Sequence, residues 1–159
     1  MRERVAWRAD CVFALPQSMD PVEAPLVEPL GIAVHAVELA AQVSGSTVAV
    51  VGCGAIGLLT LQLARLHGAH RIIATDPIEE RLVVARELGA DETVHVGPLD
   101  AVAEVLRTTD GRGVDLVFEA AGPPEALEQC LGMVRPAGEV VVIGIPSEDE
   151  YRVSASLLR

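Results

Sequence analysis

Short runs of Val, Ile, Leu and Ala alternate along this chain with longer stretches whose apolar residues return every three or four positions. The runs read as strands buried on both faces, and the longer stretches as helices that cover them. Strands are predicted at 47–51, 71–76, 92–96, 114–120 and 139–143, the last being the most continuously apolar and so the most buried. Between them, helices are predicted after 54, at 78–88, at 99–108 and from Pro124 to 134. Local signals support these boundaries. Glu79 and Glu80 open one helix where acids complement its dipole, Gly89 stands just past its end, and Pro124 suits a first helical turn. Alternation with short connections predicts an α/β fold, a Rossmann doubly wound parallel sheet with helices on both faces. Five strands are seen where six are usual, so the sixth is expected to be truncated.

The first residues follow a different pattern. Short strands are predicted at 5–8 and 11–15, then Pro16, Pro21, Pro25 and Pro29 interrupt the chain. Such spacing suits a connector over a surface. A helix follows at 31–43, with Ile32, Val34, Ala36 and Leu39 as its apolar face. The chain therefore divides into a connector, 1–30, and an α/β domain, 31–159.

The first strand and its helix are joined by Gly52-Cys-Gly-Ala-Ile-Gly57, three glycines at G-x-G-x-x-G spacing. In such a turn the first glycine allows a sharp bend, the second lets backbone approach a pyrophosphate, and the third lets the helix pack closely. The N–H groups around Ala55 and Ile56 would then face phosphate with the positive end of the helix dipole. The second strand ends in Asp76, about 20 residues on, where an acid holds adenosine ribose hydroxyls. Asp76 also precedes Pro77 and so reads as a turn acid as well.

Composition narrows the partners. Of 159 residues, 50% are hydrophobic and only 3% aromatic, so the core must be aliphatic. The mean hydropathy is +0.38. A net charge of −11 argues against nucleic acid and anionic membrane. With no apolar stretch long enough to span a bilayer and no signal pattern at the start, a soluble cytoplasmic protein is expected. Cys11, Cys53 and Cys130 are too far apart for a C-x-x-C pair; Cys53 reads as a small residue that fits the glycine turn, and Cys11 and Cys130 as core or boundary residues. His35, His67, His70 and His95 have no partner at metal-ligand spacing.

Several motifs in order carry a resemblance: Ala24-Pro-Leu-Val-Glu-Pro-Leu30, Val51 to Gly57, Asp76 with Arg81, Leu88-Gly-Ala-Asp91, Gly113 to Glu119, and Gly138 to Pro146. Together they resemble the medium-chain dehydrogenases, in the zinc-dependent alcohol and polyol branch that includes sorbitol and threonine dehydrogenases. The resemblance implies NAD as cofactor. Gly52, Gly54, Ala55, Ile56 and Gly57 would hold its pyrophosphate, with Asp76 on the ribose and Arg81 and Ala120 alongside. Ile143, Gly144 and Ile145 would meet the nicotinamide. On residues alone, Arg81 equally reads as a solvated helix charge and Glu28 as a loop acid. The resemblance places Glu28 at the family's catalytic zinc, whose other ligands lie in a domain absent from this chain, leaving 1–30 as a remnant of it.

No catalytic acid or base is expected here. The expected function is the NAD(H)-binding portion of a dehydrogenase that oxidises a small alcohol or polyol, inactive by itself and possible as a homo-oligomer. A separate, non-catalytic NAD-binding or partner-binding module is the alternative.

Overall fold

The computed structural model describes residues 4–97, 99–147, 150–151 and 153–158. Ser147 to Glu150 reads in sequence as an acidic turn, and two of its residues, Glu148 and Asp149, lie outside the described residues. Among the described residues, five strands form one parallel sheet: β1 Thr47–Val51, β2 Arg71–Asp76, β3 Glu92–His95, β4 Val114–Glu119 and β5 Val134–Val142. Their order is β3-β2-β1-β4-β5. Five α-helices among the described residues cover it: α1 Val27–Leu39, α2 Ala55–Leu66, α3 Glu79–Glu87, α4 Ala101–Thr108 and α5 Pro124–Met133.

The period of two along each strand explains the two layers. In β1, Val48 and Val50 pack with Ala36 and Val37 of α1, Leu61 and Ala64 of α2, and Leu82 and Ala85 of α3. Ala49 and Val51 point to the other face, where Val105 of α4 and Ala126, Cys130 and Met133 of α5 close a second core. Burial on both sides is what such runs of β-branched residues require. The interior is aliphatic, and Phe118 is its one aromatic side chain among the described residues.

Several boundaries differ from expectation. α1 begins at Val27, not 31, because Pro29 falls in its first turn, where a missing N–H would have no intrahelical acceptor anyway. Its buried face is Ala33, Ala36 and Val37, and these small residues let it lie close to α2. Ile32, Val34 and Leu39, expected to be buried, are exposed. The strands expected at 5–8 and 11–15 do not form. Among the described residues before α1 there are two short 3-10 turns, Ala9–Cys11 and Ala24–Leu26, and Trp7, Phe13 and Cys11 are exposed. A strand needs a neighbour, and none reaches it among the described residues.

β5 is also corrected. It starts at Val134, and its ladder with β4 is irregular between Val114 and Leu116. Pro136 lies in that irregular stretch, a place where a lost donor is tolerated. Among the described residues β5 is an edge strand with a neighbour on one side only, so within it Val141 alone is buried and Val142 is 45% exposed.

Turns at the amino ends of the strands are tied by charge. Asp115 accepts the Thr47 N–H at 2.9 Å and pairs with Arg112 and Arg135. Asp91 accepts the Ile72 N–H at 2.6 Å and pairs with Arg65. This leaves the carboxyl ends of the strands free for another use.

Candidate dinucleotide site

At the carboxyl ends of β1, β2 and β4 the strand order turns outward in both directions from β1, the place where open α/β sheets bind ligands. A cleft of about 310 Å³ lies there. Its floor is Val51, Gly52 and Gly54 from the β1–α2 turn, with Thr75 and Asp76 from β2. Pro77 and Arg81 lie toward α3, and Val96 follows β3. Ala120, Ala121 and Pro123 follow β4, and Glu125, Ala126 and Gln129 come from α5.

The glycine turn has the shape its spacing implies. Gly52 adopts φ +94, and its N–H donates to the Thr75 carbonyl at 2.8 Å. A Cβ on Gly57 would overlap the Gly52 carbonyl oxygen, so this glycine seats α2 against the turn. A Cβ on Gly54 would meet no atom within 4 Å, so the space over it is open. Gly54 is the N-cap of α2 and supplies no side-chain cap. The first N–H groups of α2 therefore lack a side-chain acceptor, and the positive end of its dipole is available to an anion. Of the expected phosphate residues, Ala55 is exposed, Ile56 half-buried and Gly57 buried.

Asp76 is 2% exposed and accepts two backbone N–H groups, Cys53 through Oδ2 at 2.7 Å and Ile78 through Oδ1 at 2.8 Å. It is thus both the turn acid its place before Pro77 suggests and a wall of the cleft. Nη1 of Arg81, which is half exposed, stands 3.7 Å from Asp76 Oδ2. Cys53 is buried, with Sγ facing the Thr75 carbonyl at 3.7 Å, and burial, with Asp76 nearby, pushes its thiol up to about 12. It acts as a small residue that fits. His95 bonds the Pro77 carbonyl through Nε2 at 3.0 Å, which steadies the cleft wall after Asp76.

The residues expected at the nicotinamide end stand apart from this cleft. Ile143 and Gly144 donate their N–H groups to the Glu119 carbonyl at 2.8 and 3.0 Å, and Ile145 is 90% exposed beside a neighbouring depression that shares Ala121, Pro123 and Glu125. Glu28 is exposed in the first turn of α1. No group of three His, Cys, Asp or Glu residues among the described residues could hold a metal ion, so this chain's described residues do not make a zinc site. None of its described helices is long and apolar enough to cross a membrane.

Three contributors are visible only in the fold. Glu119, 1% exposed at the end of β4, accepts the Ala121 and Gly122 N–H groups through Oε1 at 2.8 and 2.7 Å. An acid closing an apolar run was the available signal. Glu125 and Gln129 gave no sign beyond their four-residue spacing on one helix.

Comparison with known proteins agrees with this geometry. Residues 55–159 match the family described as zinc-binding dehydrogenase. The chain is 38% identical over 154 residues to sorbitol dehydrogenase of Bacillus subtilis (strain 168), covering 97% of this chain and 44% of that protein. It is 42% identical over 137 residues to L-threonine 3-dehydrogenase of Pyrococcus abyssi, covering 86% of this chain and 39% of that protein. A zinc-binding dehydrogenase from Sinorhizobium meliloti 1021 bound to NADP superposes with a TM-score of 0.82 at 37% identity, over 92% of this chain and 44% of that one. The chain thus spans less than half the length of the relatives it matches. With its glycine turn, strand order and family match in agreement, the chain belongs to the zinc-dependent alcohol and polyol branch of the medium-chain dehydrogenases.

Proposed function

We propose that this chain is the NAD-binding part of a zinc-dependent dehydrogenase that oxidises an alcohol or polyol. The observation that carries the reading is the meeting, in one cleft, of an uncapped helix N-terminus, the open space over Gly54 and the buried carboxylate of Asp76. A dinucleotide needs all three: donors for its pyrophosphate, room for backbone approach, and an acceptor for ribose hydroxyls. When bound, the nicotinamide supplies hydride acceptance and return at its C4.

The chain's own residues bind and orient. Gly52 to Gly57 take the pyrophosphate, Asp76 accepts from the ribose, and Arg81 and Ala120 flank the adenosine half. Ile143, Gly144 and Ile145 lie on the side where the nicotinamide would extend. Glu28 is the residue this chain offers toward a metal whose remaining ligands come from elsewhere in the protein. NAD is preferred to NADP, because the Asp76 carboxylate repels a 2′-phosphate and Arg81 is already drawn toward that carboxylate.

A fluorescence titration with NADH and NADPH, run on the protein and on Asp76→Ala, tests this. The expected result is saturable NADH binding that weakens in the variant, with NADPH the poorer ligand. A folded protein that binds neither dinucleotide would sink the reading.

A further inference from the structure

One buried residue ties together two backbone segments that no helix or strand joins. Glu119, at the end of β4, accepts four backbone N–H groups. Its side-chain Oε1 takes those of Ala121 and Gly122 at 2.8 and 2.7 Å, and its main-chain carbonyl takes those of Ile143 and Gly144 at 2.8 and 3.0 Å. The first pair lies in the turn after β4, the second just past the end of β5. Glu119 is not among the described residues that line either the cleft or its neighbouring depression. It can act on a ligand only through the segments it holds.

Those segments also meet backbone to backbone. A Cβ on Gly122, which adopts φ +93, would stand 2.9 Å from the Ile145 carbonyl oxygen. A Cβ on Gly144 would overlap the Gly122 nitrogen and lie 2.5 Å from Glu119 Oε2. That oxygen is buried with no partner among the described residues, a costly state for a polar atom and one that calls for a reason of its own. Here the reason is geometric. With Oε1 bound to the turn and Oε2 set against the bare backbone of Gly144, the carboxyl group spaces the turn after β4 from the end of β5.

This joint matters for what stands on it. Ile145 and Gly122 line a depression of about 430 Å³, which shares Ala121, Pro123 and Glu125 with the cleft over Gly54. A ligand with one half at the glycine turn and Asp76 extends its other half across Ala121 and Gly122 into that depression. Placement there is demanding, since a misplacement of about 1 Å can cost roughly a hundredfold in a reaction.

We propose that Glu119 is a positioning residue: with Gly122 and Gly144 it sets where Ile145 stands, and so holds the second depression in register for the nicotinamide half of the dinucleotide. This rests on the dinucleotide reading above and adds to it a residue that acts without touching the ligand.

The test compares NADH, followed by fluorescence, with ADP-ribose, which lacks the nicotinamide, followed by calorimetry. Both are titrated against the unaltered protein, Glu119→Gln, Glu119→Ala and Gly144→Ala. The unaltered protein should bind NADH about tenfold more tightly than ADP-ribose. Glu119→Ala and Gly144→Ala should bring that ratio toward one by weakening NADH, with ADP-ribose little changed. Glu119→Gln keeps an accepting oxygen and the breadth of the group, so it should retain the full ratio. Should Glu119→Ala fail to fold, Gly144→Ala, which leaves Glu119 itself in place, reads the same ratio. Equal weakening of both ligands in the variants, or a ratio near one in the unaltered protein, would overturn the positioning role and leave the dinucleotide reading standing. Binding of neither ligand by the unaltered protein would overturn both together.

Discussion

Asp76 Oδ2 accepts the backbone N–H of Cys53 at 2.7 Å, so the acid at the end of β2 holds the glycine turn that follows β1. The same carboxylate reaches Ile78 N–H through Oδ1 at 2.8 Å and thereby shapes the entry to α3. One side chain fixes the relative position of the glycine turn and the proposed ribose site. Its near-complete burial makes it an acceptor whose place is already set before a ligand arrives.

Replacing Asp76 should therefore reduce both stability and binding. Asp76→Ala leaves the buried Cys53 N–H without an acceptor, a loss of about 1–3 kcal/mol. It also removes the charged acceptor for ribose, which should weaken NADH by about tenfold or more. Urea unfolding and NADH titration read the two effects separately. An unchanged NADH dissociation constant in a folded Asp76→Ala protein would remove Asp76 from the ribose site.

Glu119 makes a sharper distinction between its two oxygens. Oε1 accepts two backbone N–H groups, while Oε2 is buried with no partner among the described residues and lies 2.5 Å from where a Cβ on Gly144 would be. Glu119→Gln keeps the accepting oxygen and should cost little. Glu119→Ala strands the Ala121 and Gly122 N–H groups and should destabilise by about 2 kcal/mol or more. Thermal unfolding of the two variants checks this, and equal losses would show that the Oε1 bonds are not what Glu119 contributes.

Much of this fold can be read from the period of apolar positions. Val48 to Val51 and Ile72 to Thr75 fall where sheet strands must be, because only burial on both faces tolerates such runs. What the pattern misread depended on neighbours. β5 looks as apolar as β1 in sequence, yet lies at an edge, and Pro29 reads as a stop though it fits a first helical turn. Gly52, Gly54 and Asp76 announced themselves through spacing. Glu119, Glu125 and Gln129 did not, since their meaning comes from β4 and α5 ending at the same cleft as β1.

The buried thiols should make the protein sensitive to alkali. Burial, reinforced by Asp76 and partly offset by Arg81, pushes Cys53 up to about 12, and burial with Glu119 nearby raises Cys130 as well. An unfolded thiol titrates near 9.0. Above that pH the unfolded chain loses protons that the folded chain keeps, so stability falls as pH rises, by up to about 1.4 kcal/mol per pH unit for each thiol. Below pH 9.0 the contribution is complete. Urea unfolding across this range should show a shallower fall in Cys53→Ala than in the unaltered protein. Identical slopes would contradict the buried neutral thiol.

The two glycines that flank the start of α2 separate fold from binding. Gly57 has no room for a Cβ, because the Gly52 carbonyl occupies that space, so Gly57→Ala must push the helix off the turn and should cost about 1–3 kcal/mol. Gly54 has an ordinary φ of −73 and open space where a Cβ would be, so Gly54→Ala should unfold at nearly the same temperature as the unaltered protein. That open space is where the pyrophosphate is proposed to lie, and the added methyl should weaken NADH by about tenfold or more. Calorimetry with NADH titration reads both. Undiminished NADH binding by Gly54→Ala would move the pyrophosphate away from Gly54, whereas lost binding at unchanged stability would mark this glycine as kept for the ligand and Gly57 as kept for the fold.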